Sequence, residues 1–250
     1  MTLDFTFFAL AIPAVLFAGI SKGGFGSAAA FAAAPLLALI VEPAQAVAVM
    51  LPLLIVMDFS ALKPYWRQWQ PRTSWILILG GVPGALLGAL LIGRANPDVF
   101  RFLIGLIAVS FVIYQFSRDQ GWIPVAGAPM SDRSGFLFGI GAGLTSFIAH
   151  AGGPVASVYL LSKRLGKREY QATTIIVFWA NNLLKFGLYA SLGFFSPQTA
   201  LADLYLFPVA IIGTYLGVYM HRIVPERLYF AVIYICLTLA GAKLIHDAIA

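Results

Sequence analysis

The sequence predicts an all-α polytopic membrane protein: two inverted repeats of five hydrophobic segments, each repeat opening on a glycine-broken helical hairpin. Three observations carry this. The 250 residues are 60% hydrophobic and 10% charged, with a mean hydropathy of +0.89, whereas ordinary soluble domains carry about 25% charged residues. The apolar residues fall into two sets of five runs around one polar linker. The basic loops change places between the two sets, as they must if the second set has the opposite orientation.

The first five runs are 4–20, 27–41, 43–62, 74–93 and 98–116. The second five are 134–149, 153–162, 170–194, 200–220 and 227–248. Most reach the roughly 17–25 residues that a spanning helix needs. The clearest exceptions are the second, at about 22 Å of helix, and the shorter seventh. One transmembrane domain therefore covers 1–250, with repeat 1 at 1–116, a cytoplasmic linker at 117–133 and repeat 2 at 134–250. Local matches recur in the same order in both halves. Pro35 follows a small-residue run as Pro154 does, and Gln45-Ala46 corresponds to Gln171-Ala172. Gly84 and Gly88 correspond to Gly213 and Gly217, and Pro97-Asp98 to Pro225-Glu226. An internal duplication of this kind is common in transporters, and the GxxxG pairs suit close helix packing.

Loop charges orient the chain. Loop 63–72 carries Lys63, Arg67 and Arg72, while its counterpart near 192–200 carries no charge. Loop 163–168 carries Lys163, Arg164, Lys167 and Arg168, while 41–44 carries only Glu42. With 63–72 inside, the linker, 163–168 and 221–227 (His221, Arg222, Arg227) are also inside, and both termini are outside. Eleven of the sixteen Lys and Arg are then cytoplasmic. Tyr65, Trp66, Trp69 and Trp75 flank the first basic loop as an interfacial belt would. This topology needs segments 1 and 2, and 6 and 7, each to return to the side they left. Re-entrant hairpins and pairs of full crossings both satisfy it.

The net charge of +6 is explained by these loops rather than by nucleic-acid binding. Cys236 is the lone cysteine and excludes an internal disulfide. The first five residues hold Asp4 and no basic residue, unlike the start of a cleavable signal peptide, so the first segment is expected to remain in the mature protein. There is no HExxH, no Walker A motif and no Cys/His cluster with metal-ligand spacing. Neither an enzyme nor an ATP-driven pump is suggested, and no cofactor or metal is expected.

The candidate site lies where the apolar runs break. Ser21-Lys22-Gly23-Gly24-Phe25-Gly26-Ser27 interrupts about thirty-five apolar residues, and Ala149-His150-Ala151-Gly152-Gly153-Pro154 interrupts the second half. A charge at membrane depth costs roughly 2.5–3.5 kcal/mol and usually faces a partner or a cavity. Irregular glycine backbone is tolerated there only inside protein or along water. Helix N-termini at such breaks offer free N–H groups and a positive dipole end. The two breaks are therefore expected to face each other and bind a small anion. Lys22 supplies charge, Gly23, Gly24, Gly26, Gly152 and Gly153 supply amides, and Ser21, Ser27, Thr145 and Ser146 supply hydroxyls. His150 is either a packed neutral ring or a proton-coupling group. Asn181, Asn182 and Lys185 of the eighth segment line the site or its exit, although asparagines can equally bond neighbouring helices. The competing reading is that the glycines only allow a tight turn and Lys22 reaches an interface. Asp58 and Asp203 are expected near interfaces.

These hairpins, ending in Pro35-Leu36-Leu37 and in Gly152-Gly153-Pro154, together with the Gln-Ala helix starts and the chain length, resemble the sulfite exporter TauE/SafE family of membrane permeases. The resemblance covers the whole chain. It implies a secondary transporter of the bacterial inner membrane, an exporter by family habit, for sulfite or an organosulfonate, working by alternating access. Protons are a candidate coupling ion, and the lipid bilayer is the surrounding solvent. The sulfur chemistry comes from the resemblance alone, because dipoles and a lysine attract any small anion. An anion channel, a carboxylate transporter and a non-transporting membrane assembly partner are the alternatives.

Overall fold

The computed structural model describes residues 1–25, 30–122, 129–220 and 226–250. These are almost entirely helical. The helices are α1 (Phe5–Ile20), α2 (Ala33–Leu37), α3 (Pro43–Leu62), α4 (Pro71–Ile92), α5 (Pro97–Asp119), α6 (Asp132–Ala149), α7 (Gly152–Ser162), α8 (Lys167–Ser191), α9 (Pro197–Met220) and α10 (Glu226–Ile249). Among the described residues, six helices are long and apolar enough to cross a membrane. α8, with 25 residues, has the length (about 37 Å) but carries Asn181, Asn182 and Lys185 in its middle.

Local chemistry sets the helix starts. α3, α4, α5 and α9 each begin on a proline, whose fixed φ suits the first turn and whose missing N–H is no loss there. Asp4 accepts the Phe7 N–H at 2.9 Å and Asn96 the Val99 N–H at 2.8 Å, satisfying first-turn donors. Nine of the ten predicted segments coincide with a helix to within a few residues. The second does not. Its helix is only Ala33–Leu37, preceded by a tight turn of helix at Ala30–Ala32. A further correction concerns Ser21–Phe25, expected as the turn of the first hairpin. It is a wide helical turn that prolongs α1, making a rod of about 31 Å. Gly26 and Ser27, the rest of that expected turn, lie outside the described residues.

Both hairpins return to the face they leave. Met1, Thr2, Asp4 and Phe7 line one cleft with Ile40, Val41, Glu42 and Gln45, so α1 and α3 start at the same end of the molecule. At the other end, Lys163 after α7 donates to the Met130 carbonyl at 2.8 Å and lies 3.6 Å from Asp132 at the start of α6. Arg72, at the start of α4, donates through Nε to the same Asp132 at 2.8 Å. The Arg72 and Lys163 cations hold the Asp132 carboxyl below its usual range. The loops after α3 and α7 and the chain before α6 thus share one basic face.

Packing follows the glycines. α4 lies on α6, and a Cβ on Gly84 would strike the Ile140 carbonyl, one on Gly88 the Phe147 ring. α9 lies on α1, and a Cβ on Gly213 would meet the Leu16 carbonyl, one on Gly217 that of Ile20. Both GxxxG motifs therefore let backbones meet, as small residues do between helices in lipid. Other extensive helix pairs are α3 with α8, α5 with α10, α3 with α9, α4 with α8, α1 with α2 and α6 with α7, with smaller contacts such as α2 with α10, α5 with α6 and α3 with α5. Leu86, Leu90, Leu204, Ile212, Ile235 and Leu239 stay exposed, which in lipid is the solvated face of the bundle.

Candidate substrate site

α3 and α8 run together through the centre, and both broken regions reach them. Lys22, in the wide turn after α1, is 4% exposed and forms an ion pair with Asp58 of α3, which is fully buried. Lys22 Nζ also donates to the Leu54 carbonyl at 3.4 Å. The second Asp58 oxygen accepts from Asn182 Nδ2 of α8 at 2.7 Å. Gln171, near the start of α8, donates to the Lys22 backbone carbonyl at 3.4 Å. Gly23 sits where it does because no side chain would fit: a Cβ there would overlap the Thr214 carbonyl of α9.

The second break brings a histidine and another lysine. α6 ends on His150 with φ 56° and ψ 14°, a left-handed cap that glycine usually supplies. Its N–H returns to the Ser146 carbonyl at 2.9 Å. Holding a non-glycine residue there costs roughly 1–2 kcal/mol, and such strain is concentrated at functional sites. The imidazole Nε2 lies 2.9 Å from the Val47 carbonyl of α3, and Nδ1 lies 2.8 Å from Lys185 Nζ. A carbonyl can only accept and an ammonium can only donate. With Lys185 charged, the ring is therefore neutral and carries its proton on Nε2. Lys185 is fully buried and donates also to the Ser146 carbonyl at 3.1 Å. Gly152 and Gly153, both buried, open α7 with no side-chain cap.

The two regions meet α3 at different heights. Val47 and Asp58 are eleven residues apart, about 16 Å along a helix. α8 bridges them, since Asn182 and Lys185 stand three residues apart and share one face. His150 and Lys22 are within electrostatic range of each other, as are Lys185 and Asp58. Two lysines, one aspartate and a neutral histidine leave a formal surplus of one positive charge inside the bundle. An anion, well-placed dipoles or loss of a lysine proton relieves such a surplus.

Sequence reasoning singled out Lys22, His150, Asn182 and Lys185, and the structure brings these four together. It places Asn181 differently: the side chain lies against Gly81 of α4, and neither of its amide atoms has a hydrogen-bond partner among the described residues. Ser21 is fully buried, while Gly23 and Gly24 are half-buried beside the Lys22 turn. The Thr145 hydroxyl is engaged by the Gly141 carbonyl at 2.8 Å and the Ala151 carbonyl at 3.1 Å. Asp58 and Asp203, expected near interfaces, are both buried. Asp58 is the residue missed, and the signal was available: a lysine at membrane depth calls for a carboxylate at membrane depth. Gly19, Ser21 and Gly23 have the spacing of a nucleophile elbow. They lie on a helix running into a wide turn, not on the strand-to-helix turn that motif requires.

A bundle of apolar helices with a charged, enclosed centre, reached from both faces by broken hairpins, defines a multi-pass membrane protein of the transporter class. The sequence model of the sulfite exporter TauE/SafE family matches residues 11–244, and the chain belongs to that family. No curated protein and no solved structure matches it.

Proposed function

We propose that this protein is a secondary transporter that exports a small sulfur-containing anion, sulfite or an organosulfonate, across the bacterial inner membrane by alternating access. The observation that carries the proposal is the buried Lys22–Asp58–Lys185 cluster, in which basic side chains outnumber acidic ones. A compact oxyanion can accept from several ammonium, amide and hydroxyl donors at once. Sulfur as the central atom rests on family membership alone.

Alternating access is commonly built on two matching halves, and the packing supports an inverted repeat. Exchanging α1 to α5 for α6 to α10 turns the α4–α6 pair into α9–α1, and the α3–α9 pair into α8–α4. It turns α1–α2 into α6–α7 and maps α3–α8 and α5–α10 onto themselves. Of the two hairpins, one enters from the face that carries Met1 and Glu42, the other from the basic face. By the positive-inside rule the basic face is cytoplasmic and both termini are outside. Rocking of one half against the other would open the cluster to each side in turn. The near-complete burial of Lys22, Asp58, Lys185 and His150 supports a carrier over an open channel.

The test is flux in proteoliposomes. A carrier accumulates labelled sulfite against its own gradient when a second gradient is imposed, and shows counterflow of labelled against unlabelled anion. Flux that only ever runs downhill would assign a channel. No flux together with stable co-purification of another protein would assign an assembly partner.

A further inference from the structure

We propose that Asp58 couples the transported anion to one proton. This deepens the transporter reading above and rests on it. In this structure Asp58 is the anion that Lys22 holds. An incoming oxyanion must compete for the same ammonium. When it succeeds, Asp58 keeps the Asn182 amide at 2.7 Å and loses its cation. A buried carboxylate without a cation neutralises by taking up a proton. The proton comes from water on the loading side and is released to water on the other side when Lys22 returns to Asp58. Anion and proton therefore move in the same direction, one for one, and export is driven by the anion's own outward gradient, which carries the proton out with it.

His150 is the less suitable carrier of that proton. Both ring nitrogens are engaged, and a proton on Nδ1 would face the Lys185 ammonium 2.8 Å away. Few other charges can substitute for Asp58. Among the described residues, the turn after α1 brings Lys22 towards it, and α8 brings Asn182 and, at longer range, Lys185. α2 carries no titratable group. α9 carries Asp203 near its opposite end, with Tyr205, Tyr215 and Tyr219 exposed. The titratable side chains of α5 (Asp98, Arg101, Tyr114, Arg118, Asp119) are exposed or half-buried, as are Lys63 and Tyr65 just after α3. α8 adds Tyr189, whose hydroxyl bonds the Phe147 carbonyl, and a charged first turn at the basic face.

The experiment uses the full chain in proteoliposomes with labelled methanesulfonate, a strong-acid anion that brings no proton of its own, and a trapped pH dye. Wild type is expected to move one proton with each anion. An imposed gradient of one pH unit should accumulate the anion about tenfold. Asp58→Asn should lose that accumulation and exchange anion at a rate independent of the pH gradient; Asp58→Glu should restore coupling. Methanesulfonate movement without protons in wild type, or tenfold accumulation by Asp58→Asn, overturns the assignment of Asp58 while leaving the transporter reading standing. Absence of any sulfonate or sulfite flux in wild type removes the transporter reading itself. The wild-type dye measurement and Asp58→Glu decide the matter even where Asp58→Asn does not fold.

Discussion

Lys22 and Asp58 are thirty-six residues apart in sequence and form an ion pair in the interior of the bundle. Burying two charges carries a desolvation cost that mutual attraction offsets only with good geometry. Removing one partner leaves the other uncompensated. Asp58→Ala is therefore expected to destabilise the purified protein by about 3–5 kcal/mol, seen as a lower unfolding temperature in detergent. The double variant Lys22→Met/Asp58→Leu should recover most of that loss and remain unable to transport. Equal destabilisation by the single and double variants would show that the pair is not the source.

His150 separates backbone strain from side-chain chemistry. Alanine and glycine both remove the imidazole from Lys185 and Val47, but only glycine accepts φ 56° without cost. His150→Ala should be less stable than His150→Gly by about 1–2 kcal/mol, measured as a difference between two melting curves. Both variants should be impaired in transport, since Lys185 loses its neutral acceptor.

The glycine interfaces predict paired losses. Gly84→Leu should overpack against the Ile140 carbonyl of α6, and Gly213→Leu against the Leu16 carbonyl of α1, each costing about 1–3 kcal/mol. Gly187 of α8 has open space where a Cβ would sit. Gly187→Ala should leave stability within about 0.5 kcal/mol of wild type, measured in the same unfolding assay.

The basic face has its own acid sensitivity. Arg72 and Lys163 lower the Asp132 carboxyl from its usual range. A carboxyl lowered on folding contributes stability above its unfolded value and loses it as pH falls through the folded one. The contacts joining α4, α6 and the loop after α7 should weaken below about pH 4. Salt should mask the effect at this exposed site. Asp132→Asn should flatten the acid limb of the unfolding temperature, and an unaltered limb would place the sensitivity elsewhere.

The helices were legible because lipid imposes a length and an apolar composition on every span, and because proline opens four of them. Gly84, Gly88, Gly213 and Gly217 read correctly as contacts for the same reason: in lipid, close approach needs small residues. Other features depend on three dimensions. Asp58 lies four residues before the end of α3, which reads as interfacial until Lys22 is seen to reach it. Asn181 and Asn182 are neighbours in sequence, but a helix turns about 100° per residue, so only Asn182 meets Asp58. The continuation of α1 through Lys22 was hidden because Gly23 and Gly24 suggest a turn. Gly23 serves close packing instead, since Thr214 of α9 leaves no room there for a Cβ.

The central claim is that Lys22 and Lys185 hold the transported anion. Labelled sulfite flux in proteoliposomes, comparing wild type with Lys22→Ala, Lys185→Met and the surface control Lys243→Ala, tests it most directly. Lys243 pairs only with Asp247, one turn away on α10, among the described residues. The account predicts saturable flux in wild type and the control, and a loss of about tenfold or more in each site variant, the value of one charged hydrogen bond. Wild-type flux in Lys22→Ala and Lys185→Met, with both proteins folded, would contradict it.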